Sequence, residues 1–270
     1  MSAPQRSKGF LTRPDGRIYY ESTGTGPALV FAHGLGGNHL SWWQQVPAFA
    51  DRFTCITFSH RGFFPSDAPA NQDLYADDLL ALIDHLGLDK IVIVAQSMGG
   101  WTAVNFAFAH PERLRGIVLA STSGPIDPAQ SGAGEKLAAW REKSNESRAK
   151  GTAQAIHPAM GQRGAEEQSA MHFLYRAVDE LSAGLDKEAL RARMTAVRIR
   201  PASDLAAIAT PTLWLTGAED MVFPSVVAPL MAAGMPHARH AEVERAGHSV
   251  YFERATEFNA ILAAFLEELA

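Results

Sequence analysis

The chain has 270 residues, of which 47% are hydrophobic and 20% are charged, and its formal net charge is -5. This composition is typical of a globular protein with a large core, and the negative charge argues against nucleic acid as a partner. No apolar run approaches the roughly 18 residues that a membrane-spanning helix needs, and residues 1–8 lack the apolar stretch of a secretory signal, so we expect a cytoplasmic protein without membrane contact.

The first half of the chain carries four strand patterns. Residues 9–12 and 17–22 flank a turn sequence and predict a hairpin. Apolar runs at 28–33 and 54–59 predict two strands that are buried on both faces of a sheet. Cys55, the only cysteine, lies in the second of these runs, which favours a small buried hydrophobe over a reactive thiol and rules out an internal disulfide.

Helix and strand patterns alternate through the rest of the chain. A helical pattern at residues 73–86 ends at Gly87, just before the β-branched run at 91–95. Three further strands are predicted at residues 116–121, 212–216 and 240–245, before a closing helix with an apolar stripe. This alternation predicts an α/β fold with a doubly wound, mainly parallel sheet of eight strands.

Residues 123–205 interrupt the alternation because they contain no convincing strand. The clearest helical spacing in this segment joins Met171, Leu174, Val178 and Leu181. The segment falls between the sixth and seventh predicted strands, so we predict a helical cap at 123–205 on a core formed by 1–122 and 206–270. A set of extra helices packed on the sheet fits the periodicity equally well.

A serine follows the buried strand at 91–95 directly. Ala95, Gly99 and Gly100 surround Ser97 with little side-chain bulk, and a helical pattern comes next. A serine on such a sharp strand-to-helix turn has its Oγ pushed out of the sheet, provided that small neighbours let the helix approach. The segment therefore predicts a nucleophile elbow, although Ala95 replaces the first glycine of the G-x-S-x-G pattern. A structural turn serine is the alternative.

A glycine-rich stretch, residues 33–37, leaves the third predicted strand. Such an exit frees backbone N–H groups to face a cleft at the carboxyl ends of the strands. If Ser97 attacks an acyl carbonyl, the resulting oxyanion needs two fixed donors, and we predict the N–H groups of Leu35 and Met98 in that role. A tight glycine turn without a catalytic role is the alternative.

A general base and an orienting acid are predicted on two later loops, each following a strand. His248 comes directly after the last predicted strand, and Asp220 lies in the loop at residues 217–224. We prefer Asp220 to Glu219 because it sits further along the turn. Taken singly, each of these residues is more often structural, but three loops at strand ends in the chain order Ser97, Asp220, His248 indicate a catalytic triad.

Together these motifs resemble those of α/β-hydrolases that carry a helical lid, and the resemblance covers nearly the whole chain apart from the insertion. It implies that Ser97, Asp220 and His248 lie beneath the cap, and it offers Asp127 as an alternative position for the acid. The elbow is similar to those of carboxylesterases, enol-lactonases, cofactor-free peroxidases and carbon–carbon bond hydrolases. Haloalkane dehalogenases and epoxide hydrolases of this fold carry an aspartate at the elbow, so Ser97 argues against both.

The loop at residues 59–66 departs from the family pattern D-x-R-G-x-G-x-S, because Ser59 replaces the aspartate and Phe64 the second glycine. One interpretation is drift in a supporting loop, and the other is a more aromatic acyl pocket that includes Phe63 and Phe64, with His60 nearby. On the inner face of the cap, we predict further pocket residues at Trp140, His157, Met160, Phe173 and Met194.

The sequence therefore predicts a serine hydrolase that cleaves a small carboxylic ester or lactone through an acyl-enzyme. This chemistry needs neither a metal nor an organic cofactor. Two alternatives use the same residues: hydrolysis of a carbon–carbon bond in a vinylogous diketone, and a hydrolase-like ligand receptor with slow turnover.

Overall fold

A computed structural model describes residues 5–269. Within this range the chain forms one sheet of eight strands, together with ten α-helices. The strands are β1 Arg6–Arg13, β2 Gly16–Thr23, β3 Ala28–Ala32, β4 Thr54–Phe58, β5 Ile91–Gln96, β6 Leu114–Ala120, β7 Thr212–Gly217 and β8 Ala238–Val243. The helices are α1 Val46–Phe49, α2 Tyr75–His85, α3 Gly99–Ala109, α4 Gly134–Ala153, α5 Gln162–Glu167, α6 Ser169–Glu180, α7 Lys187–Ala196, α8 Ala228–Ala233, α9 Val250–Glu253 and α10 Ala255–Glu268. None of the helices in the described range is both long and apolar enough to cross a membrane.

The strand order across the sheet is β1-β2-β4-β3-β5-β6-β7-β8. Strand β2 runs antiparallel to β1 and β4, and all other neighbours are parallel. The predicted α/β fold with a mainly parallel, eight-stranded sheet is confirmed. In this register Ala32 pairs with Ala95, and Gln96 pairs with Ala120, so β3, β5 and β6 end together at one edge.

Alternate residues of the central strands pack on opposite faces of the sheet. Val30 and Ile93 join an apolar cluster with α2, α3 and α8, whereas Leu29 and Val94 join a second cluster with α1, α9 and α10. Both faces are covered, which explains why these strands are largely apolar. Each such side chain contributes about 1.5–3 kcal/mol relative to exposure, so the core holds the strand ends in fixed positions.

The chain between β6 and β7 forms α4, α5, α6 and α7. These helices bury little of their own surface: of the 20 residues of α4, only Leu137 and Ser144 are buried. The two ends of the segment meet, because Ile126 and Arg200 pair in an isolated parallel bridge. The hydrogen bond from Asp127 N–H to the Arg200 carbonyl is 2.8 Å long. The segment thus leaves the sheet and returns to it at nearly the same place.

Candidate active site

Ser97 lies in the turn between β5 and α3, with a backbone φ of 49°. This left-handed conformation is uncommon for a residue other than glycine and costs on the order of 1–3 kcal/mol. Hydrogen bonds hold the strained backbone in place: its N–H donates to the Ala120 carbonyl at 3.0 Å, and its carbonyl accepts from Gly100 N–H at 2.9 Å and Thr122 Oγ1 at 2.7 Å. The backbone of Ser97 is therefore fixed from both sides.

The two glycines after the turn are required by close packing. A Cβ on Gly99 would lie 2.3 Å from the Ala32 carbonyl oxygen, and a Cβ on Gly100 would lie 2.2 Å from Thr122 Oγ1. No side chain fits at such distances, so α3 can approach β3 and the end of β6 only with glycine at both positions. This contact sets where the helix starts relative to Ser97.

His33 shapes the glycine-rich loop after β3. Its Nε2 accepts the His60 N–H at 2.9 Å, which leaves Nδ1 to donate to the Gly34 carbonyl at 2.8 Å. Complete burial lowers the pKa of His33 to about 3, so the ring stays neutral. The N–H groups of Leu35 and Met98 donate to no protein group within residues 5–269, and both residues line the same cavity as Ser97.

His248 and Asp220 are in direct contact on the loops after β8 and β7. His248 Nδ1 lies 3.0 Å from Asp220 Oδ2 and 3.1 Å from Oδ1. Both side chains are buried, with exposed fractions of 3% and 1%. Asp220 Oδ1 also accepts the N–H groups of Val222 at 2.8 Å and Phe223 at 2.9 Å. This arrangement fixes the carboxylate and directs the proton of the neutral imidazole to Nδ1, leaving Nε2 as the basic nitrogen.

His248 and Ser97 border one cavity of about 480 Å³. No hydrogen bond joins the two side chains in the described part of the chain, and catalytic hydrogen bonds of this kind often tighten only when substrate binds. A larger, more open depression of about 840 Å³ lies around Arg245 and Arg254 and is bordered by neither residue.

The other acids considered from the sequence are engaged elsewhere. Asp127 accepts the Ala129 N–H at 2.9 Å and the Gln130 side chain at 3.1 Å, so it caps its own turn. Glu219 forms an ion pair with Arg163 at 2.9 Å. Neither carboxylate contacts His248, in contrast to Asp220.

Glu253 is a site residue that the sequence did not reveal. Its carboxylate accepts backbone N–H groups from Gly247 at 3.0 Å and Ser249 at 3.2 Å, on either side of His248, and from Gly161 at 3.2 Å. Its exposed fraction is 2%, and burial raises its pKa to about 7 despite these donors. The only available signal was a single acid after the apolar residues 250–252.

The helices between β6 and β7 form the wall opposite Ser97. Of the predicted pocket residues, His157 and Met194 line the 480 Å³ cavity, as do Tyr175 and Asp179. Met160 instead borders a small adjoining cavity of about 30 Å³, which it shares with His157 and His248. These helices therefore face the loops that carry Ser97 and His248.

Besides Met160, two further predicted cap residues do not line this cavity. Phe173 has an exposed fraction of 75%, because it lies on the outer face of α6. Trp140 Nε1 donates to the Asp220 carbonyl at 2.9 Å, and Ser144 Oγ of the same helix donates to the Met221 carbonyl at 2.6 Å. Trp140 thus ties α4 to the loop of Asp220, and its prediction as a pocket residue is corrected to a supporting contact.

The aromatic residues of the 59–66 loop are likewise absent from the cavity lining. Phe63 is fully buried, with its ring centroid 4.9 Å from that of His33, and Phe64 is half exposed. His60 is also buried, with Nε2 2.8 Å from Thr102 Oγ1. Ser59 Oγ donates to the Phe64 carbonyl at 2.9 Å. The altered loop is therefore an internally bonded support behind the glycine-rich loop, which favours the first of the two interpretations.

Comparisons with known proteins agree with the fold described above. A family model described as alpha/beta hydrolase fold matches residues 27–255. The 3-oxoadipate enol-lactonase 2 of Acinetobacter baylyi is 28% identical, over 96% of this chain and 97% of the relative. Haloalkane dehalogenase 2 of Mycobacterium bovis is 28% identical, over 87% and 86%. A solved esterase from Thermogutta terrifontis has a TM-score of 0.76 and 28% identity, over 98% of this chain and 99% of the esterase.

Proposed function

Because the chain belongs to the α/β hydrolase fold family and is a hydrolase of the esterase and lactonase type, we propose that it cleaves a carboxylic ester or lactone through an acyl-enzyme on Ser97. One observation carries the proposal: Ser97, on a strained turn, shares a cavity with His248, whose Nδ1 is held by Asp220. This is the spatial order of nucleophile, base and orienting acid that acyl transfer requires.

In the proposed reaction His248 Nε2 takes the proton of Ser97 Oγ as the oxygen attacks the carbonyl carbon. The tetrahedral intermediate collapses with cleavage of the acyl carbon–oxygen bond, and the leaving alkoxide receives that proton from His248. Water, deprotonated by the same nitrogen, then attacks the acyl carbon, the bond to Ser97 Oγ breaks, Oγ takes the proton back from His248, and the acid is released. With a lactone, the leaving hydroxyl stays attached to the acyl group, so the product of both steps is a single hydroxy acid, or a keto acid where the substrate is an enol lactone.

The oxyanion of each intermediate is proposed to bind the N–H groups of Leu35 and Met98. Both donors lack a protein partner in the described range, and both residues border the cavity beside Ser97. Loss of one such donor typically lowers kcat by ~10²–10³. The glycine-rich loop, held by His33, is therefore proposed to contribute to the rate through the backbone N–H group of Leu35.

Residues 123–205 are proposed to act as the cap over a core of 1–122 and 206–270. His157, Tyr175 and Met194 supply side chains to the cavity wall opposite the loops of Ser97 and His248. Such a wall excludes water and orients the acyl group. Haloalkane dehalogenases of this fold carry an aspartate at the elbow, where this chain has Ser97. The serine therefore favours ester or lactone cleavage over the activity named for the dehalogenase relative.

The proposal is tested with Ser97→Ala and a matched control, Ser121→Ala. Like Ser97, Ser121 follows the end of a strand and has a positive φ, but it is buried and does not line the cavity. We expect Ser97→Ala to lower kcat by on the order of 10⁶ on a 4-nitrophenyl ester, whereas Ser121→Ala retains turnover. A phosphonate ester should label the wild type once, at Ser97, by peptide mass analysis. A label elsewhere, or a single slow burst without further turnover, would contradict the enzyme proposal.

A further inference from the structure

Arg198 stands two residues after α7 and lines the cavity that contains Ser97. Its guanidinium carbon lies 4.5 Å from the centroid of the Trp101 ring, and Trp101 is four residues after Ser97 along α3. A positive charge therefore borders the same cavity as the proposed nucleophile. Stacking on an aromatic face orients the guanidinium plane, which a flexible lysine would not achieve.

Arg198 forms no ion pair or side-chain hydrogen bond with an acid within residues 5–269; the Asp127 carboxylate acts on its charge only from a distance, which raises the pKa of Arg198 slightly against the effect of burial. Its Nε is buried without a hydrogen-bond partner, and the same is true of Trp101 Nε1 beneath it. The two terminal nitrogens of Arg198 also donate to no protein group, but they are not among the buried atoms, so they reach the open cavity. A partly desolvated guanidinium without a hydrogen-bonded acid is costly, unless a ligand supplies the missing acceptor.

Two neighbouring cations of the cavity lining are already paired with acids, and a third is solvated. Lys187 Nζ lies 2.6 Å from Asp179 Oδ1, and Arg191 pairs with Glu188. Arg148, at the same cavity, is exposed and donates to Asn145. Burial lowers the pKa of Arg198 to about 10, which still leaves it cationic at neutral pH. The cavity lining thus carries a net positive charge, and its half-buried member Arg198 forms no ion pair.

We propose that the substrate carries a carboxylate, which Arg198 binds while Ser97 attacks an ester or lactone carbonyl elsewhere in the same molecule. This inference rests on the proposed function and narrows it to anionic esters and lactones, whose hydrolysis gives dicarboxylic acids or their hydroxy and keto derivatives. A carboxylate suits the site because a guanidinium can donate two parallel hydrogen bonds to its two oxygens. The cavity of about 480 Å³ has room for a small acid of this kind.

Arg200 stacks on an aromatic ring in the same way as Arg198, but outside the cavity. Arg200 lies over Phe108 at the same 4.5 Å, but its guanidinium pairs with Asp204 at 3.3 Å and it does not line the cavity. Two stacked arginines thus lie two residues apart in the sequence, and within the described residues only Arg200 forms an ion pair. Arg200 is therefore the matched control for Arg198.

The test compares two substrates that differ in one charge: mono-4-nitrophenyl glutarate and its methyl ester. We expect wild type to prefer the anion, and Arg198→Gln to lower the ratio of the two kcat/KM values by about tenfold to hundredfold, mainly through KM. Arg200→Gln should keep the wild-type ratio. Arg198→Lys should give an intermediate ratio, because it retains the charge and loses the paired donors.

Each outcome separates this inference from the proposed function. Equal ratios in wild type and Arg198→Gln, with turnover of the methyl ester still abolished by Ser97→Ala, would overturn the carboxylate site alone. Turnover that survives Ser97→Ala would overturn the proposed function. Should Arg198→Gln fail to fold, inhibition of wild type decides: butyrate should inhibit at least tenfold more strongly than butyramide, and equal inhibition would count against Arg198.

Discussion

The cavity has two walls that are held in place by different interactions. The loops at the sheet edge are fixed by backbone hydrogen bonds and close packing, as at Ser97 and Gly99. The opposite wall is formed by side chains from the helices between β6 and β7. These helices bury few of their residues; in α4, for example, only Leu137 and Ser144 are buried. Substitutions at exposed positions usually alter the free energy of unfolding by less than about 0.5 kcal/mol. The helical wall can therefore accept substitutions that the loops at the sheet edge cannot. We call the first the variable wall and the second the rigid wall.

The largest expected effect concerns the rigid wall. Asp220→Asn keeps the volume of the side chain but removes the charge that holds the Nδ1 proton of His248, so we expect kcat to fall by roughly 10⁴ while the fold is retained. Steady-state rates and a thermal melt measure both quantities. The control is Asp127→Asn, which should change the rate little because Asp127 only caps its own turn. The opposite pattern would move the acid to the loop after β6.

The second expected effect concerns Glu253, whose carboxylate accepts hydrogen bonds from the His248 loop on one wall and from Gly161 on the other. Its pKa is raised from 4.5 to about 7, so the folded state disfavours the ionised carboxylate. Its contribution to the free energy of unfolding is therefore fully present below about pH 4.5 and is lost as the pH rises through 7, a change on the order of 3 kcal/mol. Buried Asp220 faces the same carboxylate and adds to this shift, as its negative charge opposes ionisation.

The measurement for Glu253 is urea unfolding of wild type and Glu253→Gln between pH 4.5 and 8. We expect the difference between the two free energies of unfolding to shrink as the pH rises, because the neutral variant lacks this ionisation. Glu219→Gln, which removes an acid paired with Arg163 on the surface, is the control and should run parallel to wild type. A difference that is constant with pH would show that Glu253 is ionised throughout.

The smallest expected effect lies on the variable wall. Met194→Ala should shift the preferred acyl length in a series of 4-nitrophenyl esters, since each buried methylene is worth ~0.8 kcal/mol, or about fourfold in affinity. Phe173→Ala on the outer face of α6 should leave both the length profile and the melting temperature unchanged. A shifted profile in Phe173→Ala would mean that the helices rearrange around the substrate.

The fold and the rigid wall could be predicted from sequence because they follow from local rules. Apolar runs buried on both faces indicated the central strands, and parallel strands bring the loops that follow them to one edge. This is why Asp220 and His248, chosen only for their positions after strands, are found in contact. The small residues around Ser97 indicated the turn for the same steric reason that the structure shows at Gly99 and Gly100.

The variable wall could not be predicted to the same degree, because helical spacing does not show which face meets a cavity. Phe173 and Trp140 were chosen as large apolar residues, yet one faces solvent and the other bonds the Asp220 loop. Phe63 turns inward to His33 instead of toward the site. Arg198 gave no signal in the sequence, since its unpaired state depends on where the acids of other helices lie.

The bridge between Ile126 and Arg200 has a consequence for protein engineering. Because the segment leaves and re-enters the core at adjacent residues, its length does not affect the spacing of β6 and β7, which pair directly in the sheet. Loop-closure entropy changes only slowly with length, so a replacement of another size adds little cost at this junction. A chimaera that joins residues 1–126 and 200–270 to the corresponding helices of a relative would exchange the proposed cap, provided that the new helices restore the hydrogen bonds of Trp140 and Gly161 to the Asp220 loop and Glu253.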